Sequence, residues 1–548
     1  MHAMLSSKCG LCESAISAKE QTPKKIVQKW SFVQHRKGPW LLRSDPTLYP
    51  LIETNHFQHD ALMNTANEMS LAPALIVVGE AVGARNADHM ARHAPDPVRA
   101  RLLNALPAAQ RVLELGCGSG ELAQMHKARH GACHWTGVDA RPERLALASE
   151  HIDTLLCLDL SQARIHLLRS RFDLIVINGL EHLPKPDVVL ADLQDLLEEG
   201  GTLVLRAENH ARLSMINRII EADLSSGTAA DPDSIGSLDR AHPRLQSHAS
   251  IYKLLMDAQW MPTLVDNEPD TPQDERVAQA AHYIADAIGV QAGCADLVHR
   301  IRHFIIRAQR IFEPIQSSDN TALFDVVVPT TNEQQLRVNV EQSPGLAEVN
   351  ARIVSYRGAK NPAHALDGSM AHVLRDWVLL CHQDVYFPKG FGLRLNKLLA
   401  AIPPQERRQT LLGFIGVGVN RETQQPEPAG FILDRLHRVV HASSDAALSI
   451  DELAIVVARD SIHKIDPNIG WHLWATDLCL SAISEHRVFP KIVSLPLFHN
   501  SHTDWSLPAA FSDSTEYLLR KFPHFGDIHT LCGVLNADFV TRQRSLKA

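Results

Sequence analysis

The sequence predicts two successive α/β units, each a sheet with helices between its strands. Three observations carry this. Apolar runs of strand length alternate with helix-like segments between Arg111 and Glu208; a polar stretch, EPIQSSDN, breaks the pattern; and a second series of apolar runs starts beyond it at ALFDVVVPTT. Strands alternating with helices at this spacing imply a parallel sheet covered on both faces. The boundaries that follow are 1–75 for a turn-rich N-terminal region of unknown role, 76–312 for the first unit with helical additions, 313–322 for a connector, and 323–548 for the second unit.

In the first unit, RVLELG, HWTGVDA, TLLCLDL, FDLIVING and GTLVLRAE are short apolar runs, and they read as strands. DVVLADLQDLLEEG reads as a helix between two of them. The stretch from Ala211 to Phe312 reads as helical and polar, with the loop SSGTAADPDSIGSLDRAHP inside it and the amphipathic ADLVHRIRHFIIRAQRIF at its end. Within it, IYKLLMDAQWMPTLVDNEP supplies one helix and one strand that complete the first sheet. In the second unit, strands recur at FDVVVPT, NARIVSYRG, DWVLLCHQDV, TLLGFIGVGV and KIVSLPLFHN.

Bulk properties narrow the function. Of 548 residues, 45% are hydrophobic and 21% charged, so nearly the whole chain can bury a core. A net charge of -8 gives no overall positive field for phosphate backbones, and no nucleic-acid partner is expected. No apolar run reaches the roughly 18–20 residues of a membrane span, and the first residues lack the apolar core of a signal peptide, so a cytoplasmic protein without a transmembrane segment is expected. Nine cysteines fit reduced thiols, and the close pair Cys9 and Cys12 has no second pair at zinc spacing.

Two stretches carry chemistry. In LELGCGSG, Gly116, Gly118 and Gly120 lie between a strand and a helix, where positive φ and a bare backbone let a ligand approach closely. Alone, this loop could serve a dinucleotide, S-adenosylmethionine or a tight turn. Its neighbours are Glu114 before the loop, Asp139 and Asp159 at the ends of the next two strands, and LEHLP with EEGGTLVL after the fourth. With these in order, the chain resembles class I S-adenosylmethionine-dependent methyltransferases with a Rossmann-like fold, over roughly residues 95–267. The resemblance implies that Glu114, Gly116, Cys117, Gly118 and Gly120 border the cofactor, that Asp139 holds its ribose hydroxyls, and that Asp159 and Leu160 flank its adenine. It also implies that Glu181 and His182 lie at its edge. Methyl transfer needs mainly alignment, and His182 is the candidate base toward a hydroxyl acceptor.

The second stretch, DWVLLCHQDV, drives His382 and Asp384 onto the end of an apolar strand, where an unpaired charge is costly. Ligands of open α/β sheets bind at the carboxyl ends of strands, and a carboxylate there suits a hard divalent cation. With FDVVVPTTN, GWHLWATDLCLSA and LPLFHNS, the region from roughly 323 to 515 resembles family-two-like glycosyltransferases of the GT-A fold, in a His-Gln-Asp branch. That resemblance implies a nucleotide-sugar site at Pro329, Thr330, Asn332, His382 and Asp384. It further implies a Mn²⁺ or Mg²⁺ ion on Asp384 and His499, a catalytic base at Asp477, and an acceptor-side strand opening with Asp451 and Glu452. His382 replaces the first Asp of the family's metal motif. Trp471 and Trp474 are core or sugar-stacking residues.

The chain therefore reads as a bifunctional transferase. It would move a methyl group and a sugar from a nucleotide-sugar donor onto a glycan or lipid-linked glycan, as in surface polysaccharide biosynthesis. The alternative is a methyltransferase whose second half is a non-catalytic glycan-binding module.

Overall fold

A computed structural model describes residues 30–33, 41–44 and 97–545, apart from 161–164, 166–167, 169, 221–245, 271–274, 288–289, 292–297, 311–314, 316–319 and 504–505. Cys9, Cys12 and much of the connector expected at 313–322 lie outside the described residues. In the N-terminal region, β1 (Trp30–Val33) pairs antiparallel with β2 (Leu41–Ser44).

The first sheet holds β3 (Arg111–Leu115), β4 (His134–Asp139), β5 (Thr154–Cys157), β6 (Phe172–Asn178), β7 (Leu197–Glu208), β8 (Trp260–Pro269) and β9 (Ile301–Arg310), in the order β5-β4-β3-β6-β7-β9-β8. The pairs from β5 to β7 are parallel, while β9 runs antiparallel to both β7 and β8. This is a Rossmann-like α/β sheet, as expected from the resemblance to class I methyltransferases. Alternate residues of β3 show why valine and leucine occupy both of its faces, with the buried Glu114 as the exception. Leu113 and Leu115 enter one core with Ile175, Leu203 and Phe304, while Val112 enters the other with Trp135, Val176 and Ile305. A strand buried on both faces has no polar side to display.

One expectation is corrected here. The stretch ending in IRHFIIRAQR, read as part of a helical and polar region, is β9 for Ile301–Arg310. Its arginines suggest a surface helix, but Ile301, Phe304, Ile305, Ile306 and Ala308 are buried between β7 and β8. Long basic side chains can carry their charges outward along a buried stem, which hides the strand in the sequence.

The second unit has a mixed sheet of β10 (Phe324–Thr330), β11 (Arg352–Arg357), β12 (Trp377–Cys381), β14 (Leu411–Gly413), β19 (Ala454–Ala458) and β20 (Lys491–Ile492), in the order β11-β10-β12-β19-β14-β20. β19 is antiparallel to both of its neighbours. A smaller sheet joins β13 (Val385–Tyr386), β15 (Ile415–Val419), β16 (Pro426–Asp434), β18 (Ala447–Ile450) and β21 (Leu497–His499), with β17 (His437–Val440) on β16. Strands β13, β15 to β18 and β21 thus build a second layer beside the mixed sheet.

The two units share a core. Tyr386, Phe431, Leu433, Leu436 and Phe498 of the second pack in one apolar cluster with Ile251, Tyr252, Leu255 and Trp260 of the first. The helix His248–Asp257 forms the seam, where the Tyr252 hydroxyl donates to Leu436 O (3.3 Å) and the Tyr386 hydroxyl to Asp257 (2.6 Å). Lys253 donates to Asn339 Oδ1 (2.9 Å) and lies 4.6 Å from the Tyr386 ring centroid.

Candidate active sites

A cleft of about 820 Å³ opens at the carboxyl ends of β3, β4 and β6. Its floor is the glycine loop. Gly116, Gly118 and Gly120 have φ of +78°, +57° and +80°, and a Cβ on Gly116 would lie 3.2 Å from Asn178 O. The backbone N–H groups of Gly116 and Cys117 both donate to Val138 O, which ties the loop to β4. Asp139, at the end of β4, accepts from Gly118 N (3.1 Å) and from Arg141 N (2.9 Å), so one carboxylate spans two loops beside the cleft.

Glu114 is fully buried. Its Oε2 accepts from the Trp135 indole (3.0 Å), while Oε1 has no partner. Burial pushes its carboxyl up to about 8, against the opposing hydrogen bond of Trp135. Burial also pushes up the Cys117 thiol, which keeps it neutral. Asp159 and Leu160 line the cleft, as does His182.

His182 sits on the turn Leu180–His182, which Gly179 makes possible. Gly179 has φ +104°, and a Cβ there would lie 2.6 Å from the His182 ring. The ring is half exposed and 3.8 Å from buried Glu181, whose other oxygen accepts from Glu208 N (3.1 Å). Of the residues expected at this site by sequence, Glu114, Gly116, Cys117, Gly118, Asp139, Asp159, Leu160 and His182 border the cleft, whereas Gly120 ends the loop away from it and Glu181 is buried behind His182. Arg99, Arg144, Asn178 and Arg206 border it too, and no local motif marked them.

The second cluster answers why a carboxylate ends an apolar strand. All five residues of β12 are buried, and the chain leaves the sheet at His382. His382, Asp384 and His499 each offer a ligand atom within 4.8 Å of the others. Strand pairing assembles them: Val385 stands opposite His499 between β13 and β21, and Asn500 N donates to Asp384 O (2.9 Å). His499 lies between two carboxylates, 3.5 Å from Asp384 Oδ1 and 3.0 Å from Asp434 Oδ1. Burial alone would lower its pKa, but Asp384 and Asp434 outweigh that and carry it up to about 10. Burial likewise would raise Asp384, yet His499 and then His382 hold it below the usual carboxylate range.

Neighbouring strands bring two further groups to this edge. Cys381 pairs with Ala454, and His382 N donates to Leu453 O, so Asp451 and Glu452 flank the same end of β12. Burial, then Asp451, pushes Glu452 up to about 8. On the other side, Gln383 Oε1 accepts from Thr331 N and Asn332 N, both at 2.8 Å. The middle residue of His-Gln-Asp thus fixes the turn that follows Pro329 and Thr330.

Asp477 stands apart from this cluster. It has no exposed side-chain surface, and Lys521 donates to both of its oxygens (2.7 and 3.0 Å) while also binding Asp466 (2.7 Å). Burial pushes its carboxyl up to about 6 against the pull of Lys521. The base expected from sequence is therefore enclosed in an ion pair with both oxygens engaged. Trp474 is core, and Trp471 is 38% exposed.

Comparison with known proteins places one part of this. The family described as "Methyltransferase domain" matches residues 112–201, which hold the glycine loop, Asp139, Asp159 and His182. The ubiquinone biosynthesis O-methyltransferase of Xanthomonas axonopodis pv. citri (strain 306) is 31% identical over 139 residues, covering 24% of this chain and 57% of that protein. The same enzyme of Xylella fastidiosa (strain 9a5c) is 32% identical over 139 residues, covering 24% and 56%. The chain thus spans a little over half the length of these curated relatives. Among solved structures, an S-adenosylmethionine-dependent methyltransferase from Mesorhizobium loti covers 38% of this chain and 96% of its own, at 20% identity and a TM-score of 0.26.

Proposed function

We propose that the chain transfers a methyl group from S-adenosylmethionine in the first cleft and a sugar from a nucleotide-sugar in the second, onto a glycan or lipid-linked glycan. The observation that supports methyl transfer is the convergence of the positive-φ glycine loop, Asp139 and the unpartnered Oε1 of Glu114 on one cleft. A buried carboxyl oxygen without a partner fits a polar ligand rather than an empty core. Gly116, Cys117 and Gly118 would hold the cofactor beside their backbone, Asp139 its hydroxyls, and Asp159 with Leu160 its base. When bound, S-adenosylmethionine supplies an activated methyl group. The residues of the chain orient the acceptor, and His182 receives the proton of its hydroxyl.

For the second cleft, the support is the His382, Asp384 and His499 triad at the open end of β12. Two imidazoles and a carboxylate fit Mn²⁺ better than Mg²⁺, which prefers oxygen donors. A cation held there would neutralise a departing diphosphate. Gln383 holds the Thr331–Asn332 turn in place for the nucleotide. In this reading Glu452, rather than the enclosed Asp477, takes the proton of the acceptor hydroxyl.

Thermal unfolding with S-adenosylhomocysteine, and with UDP, GDP or dTDP plus or minus Mn²⁺, tests both halves, because a ligand that binds the native state raises its stability. The proposal expects one nucleotide to stabilise only with Mn²⁺, and only when Asp384 is intact. If no nucleotide does so while a glycan still binds without metal, the second half is the glycan-binding module instead.

A further inference from the structure

We infer that Asp434, held by Arg435, is the positioning residue that makes His499 a metal ligand; this rests on the metal reading of His382, Asp384 and His499. Asp434 ends β16 and His499 ends β21, and the parallel register sets the two opposite each other. The carboxylate is divided between two partners. Oδ1 lies 3.0 Å from His499 Nδ1, and Oδ2 accepts from Arg435 Nη1 at 2.6 Å.

Arg435 is itself fixed. It is 4% exposed, its backbone N donates to His499 O (3.1 Å), and its Nε donates to Thr503 O (2.7 Å). Its φ of +52° lies in the left-handed region, a conformation costly for a residue with a Cβ. That strain turns the chain sharply at the end of β16 and lets one residue hold both its neighbour Asp434 and the strand that carries His499.

The consequence for the imidazole is specific. A carboxylate at Nδ1 keeps a proton on that nitrogen, so Nε2, 3.5 Å from Asp384, is the nitrogen left to bind a cation once its own proton is displaced. Without Asp434 the ring can rotate or carry its proton on Nε2, and either change removes a ligand. Partners of this kind orient metal-bound histidines and are worth about 10- to 100-fold in metal affinity. Sequence offers no sign of the pair, because Asp434 and His499 are 65 residues apart.

Mn²⁺ affinity, measured by electron paramagnetic resonance on the full chain without any nucleotide or sugar, tests this. Asp434→Ala is expected to weaken binding by about 10- to 100-fold, and the isosteric Asp434→Asn by a smaller factor. In the His499→Ala background, Asp434→Ala is expected to change nothing further, since Asp434 acts through that ring. Far-ultraviolet circular dichroism in EDTA checks that each variant is folded, and if the alanine variant is not, the asparagine variant decides. Wild-type affinity in Asp434→Asn overturns the inference, as does an equal loss with and without His499. If the wild type itself binds no Mn²⁺, the metal reading falls first, and the two failures are thereby distinguished.

Discussion

Glu114→Gln is the most direct probe of the first cleft. The glutamine keeps the acceptor that the Trp135 indole uses and removes only the titration. In the wild type the carboxyl is pushed from 4.5 in the unfolded chain to about 8 in the folded one, chiefly by burial. Between those values the folded state holds a proton that the unfolded state has lost, so stability falls as pH rises. The contribution is fully present below pH 4.5 and is lost as pH passes through 8. At about 1.36 kcal/mol per unit the shift sets a ceiling of about 5 kcal/mol, and relaxation around a buried charge reduces this to about 2–4. Urea unfolding at about pH 4 and at about pH 9, on either side of the two values, reads it: the variant gains on the wild type by that amount at the higher pH relative to the lower. Parallel pH profiles for the two proteins would refute the burial argument. Affinity for S-adenosylhomocysteine is expected to fall in the same variant, because the unpartnered Oε1 is replaced by an amide nitrogen that donates and cannot accept.

Three further outcomes follow from the geometry. Gly116→Ala forces a Cβ into a left-handed position 3.2 Å from Asn178 O, a strain of about 1–2 kcal/mol that displaces the loop, so S-adenosylhomocysteine affinity measured by calorimetry drops about tenfold. Phe498→Ala removes a fully buried ring from the shared core and lowers stability in urea by about 3–5 kcal/mol, as a single transition. In nucleotide-sugar turnover assays, Glu452→Gln lowers kcat by about 100-fold or more as the loss of a proton acceptor. Asp477→Asn should act mainly on stability through its pair with Lys521, and a larger kcat loss there than in Glu452→Gln would restore Asp477 as the base.

The legible parts of the sequence were those in which local spacing carries the structure. The glycine loop, the acidic ends of β4 and β5 and the turn at Gly179 are each contained in a few residues, and all of them border one cleft. The same holds for His382 and Asp384, whose place follows from leaving an apolar strand. What escaped was set by pairing between distant segments. β9 reads as a basic amphipathic stretch until β7 and β8 enclose it. Asp477 reads as an early-helix carboxylate facing a site until Lys521, 44 residues later, turns out to hold both of its oxygens. Asp434 had no local signal at all.

The same long-range pairing argues against treating the halves as independent modules. His499 and Phe498 are adjacent on β21, yet one belongs to the metal cluster and the other to the core around Tyr252 and Trp260. Tyr386 follows Asp384 by two residues and is anchored to Asp257. Just beyond the seam helix, contact continues toward the first cleft: the indole of Trp260, which opens β8, donates to Leu190 O (2.8 Å) on the helix Pro186–Leu193, which begins four residues after His182. Separating the chain at its polar connector would therefore expose Phe498, Phe431 and Leu433 together with their partners in the first unit. Because burying apolar surface stabilises by about 25 cal/mol for each Å², a chain cut there is expected to lose stability in both units, and the two are expected to unfold together.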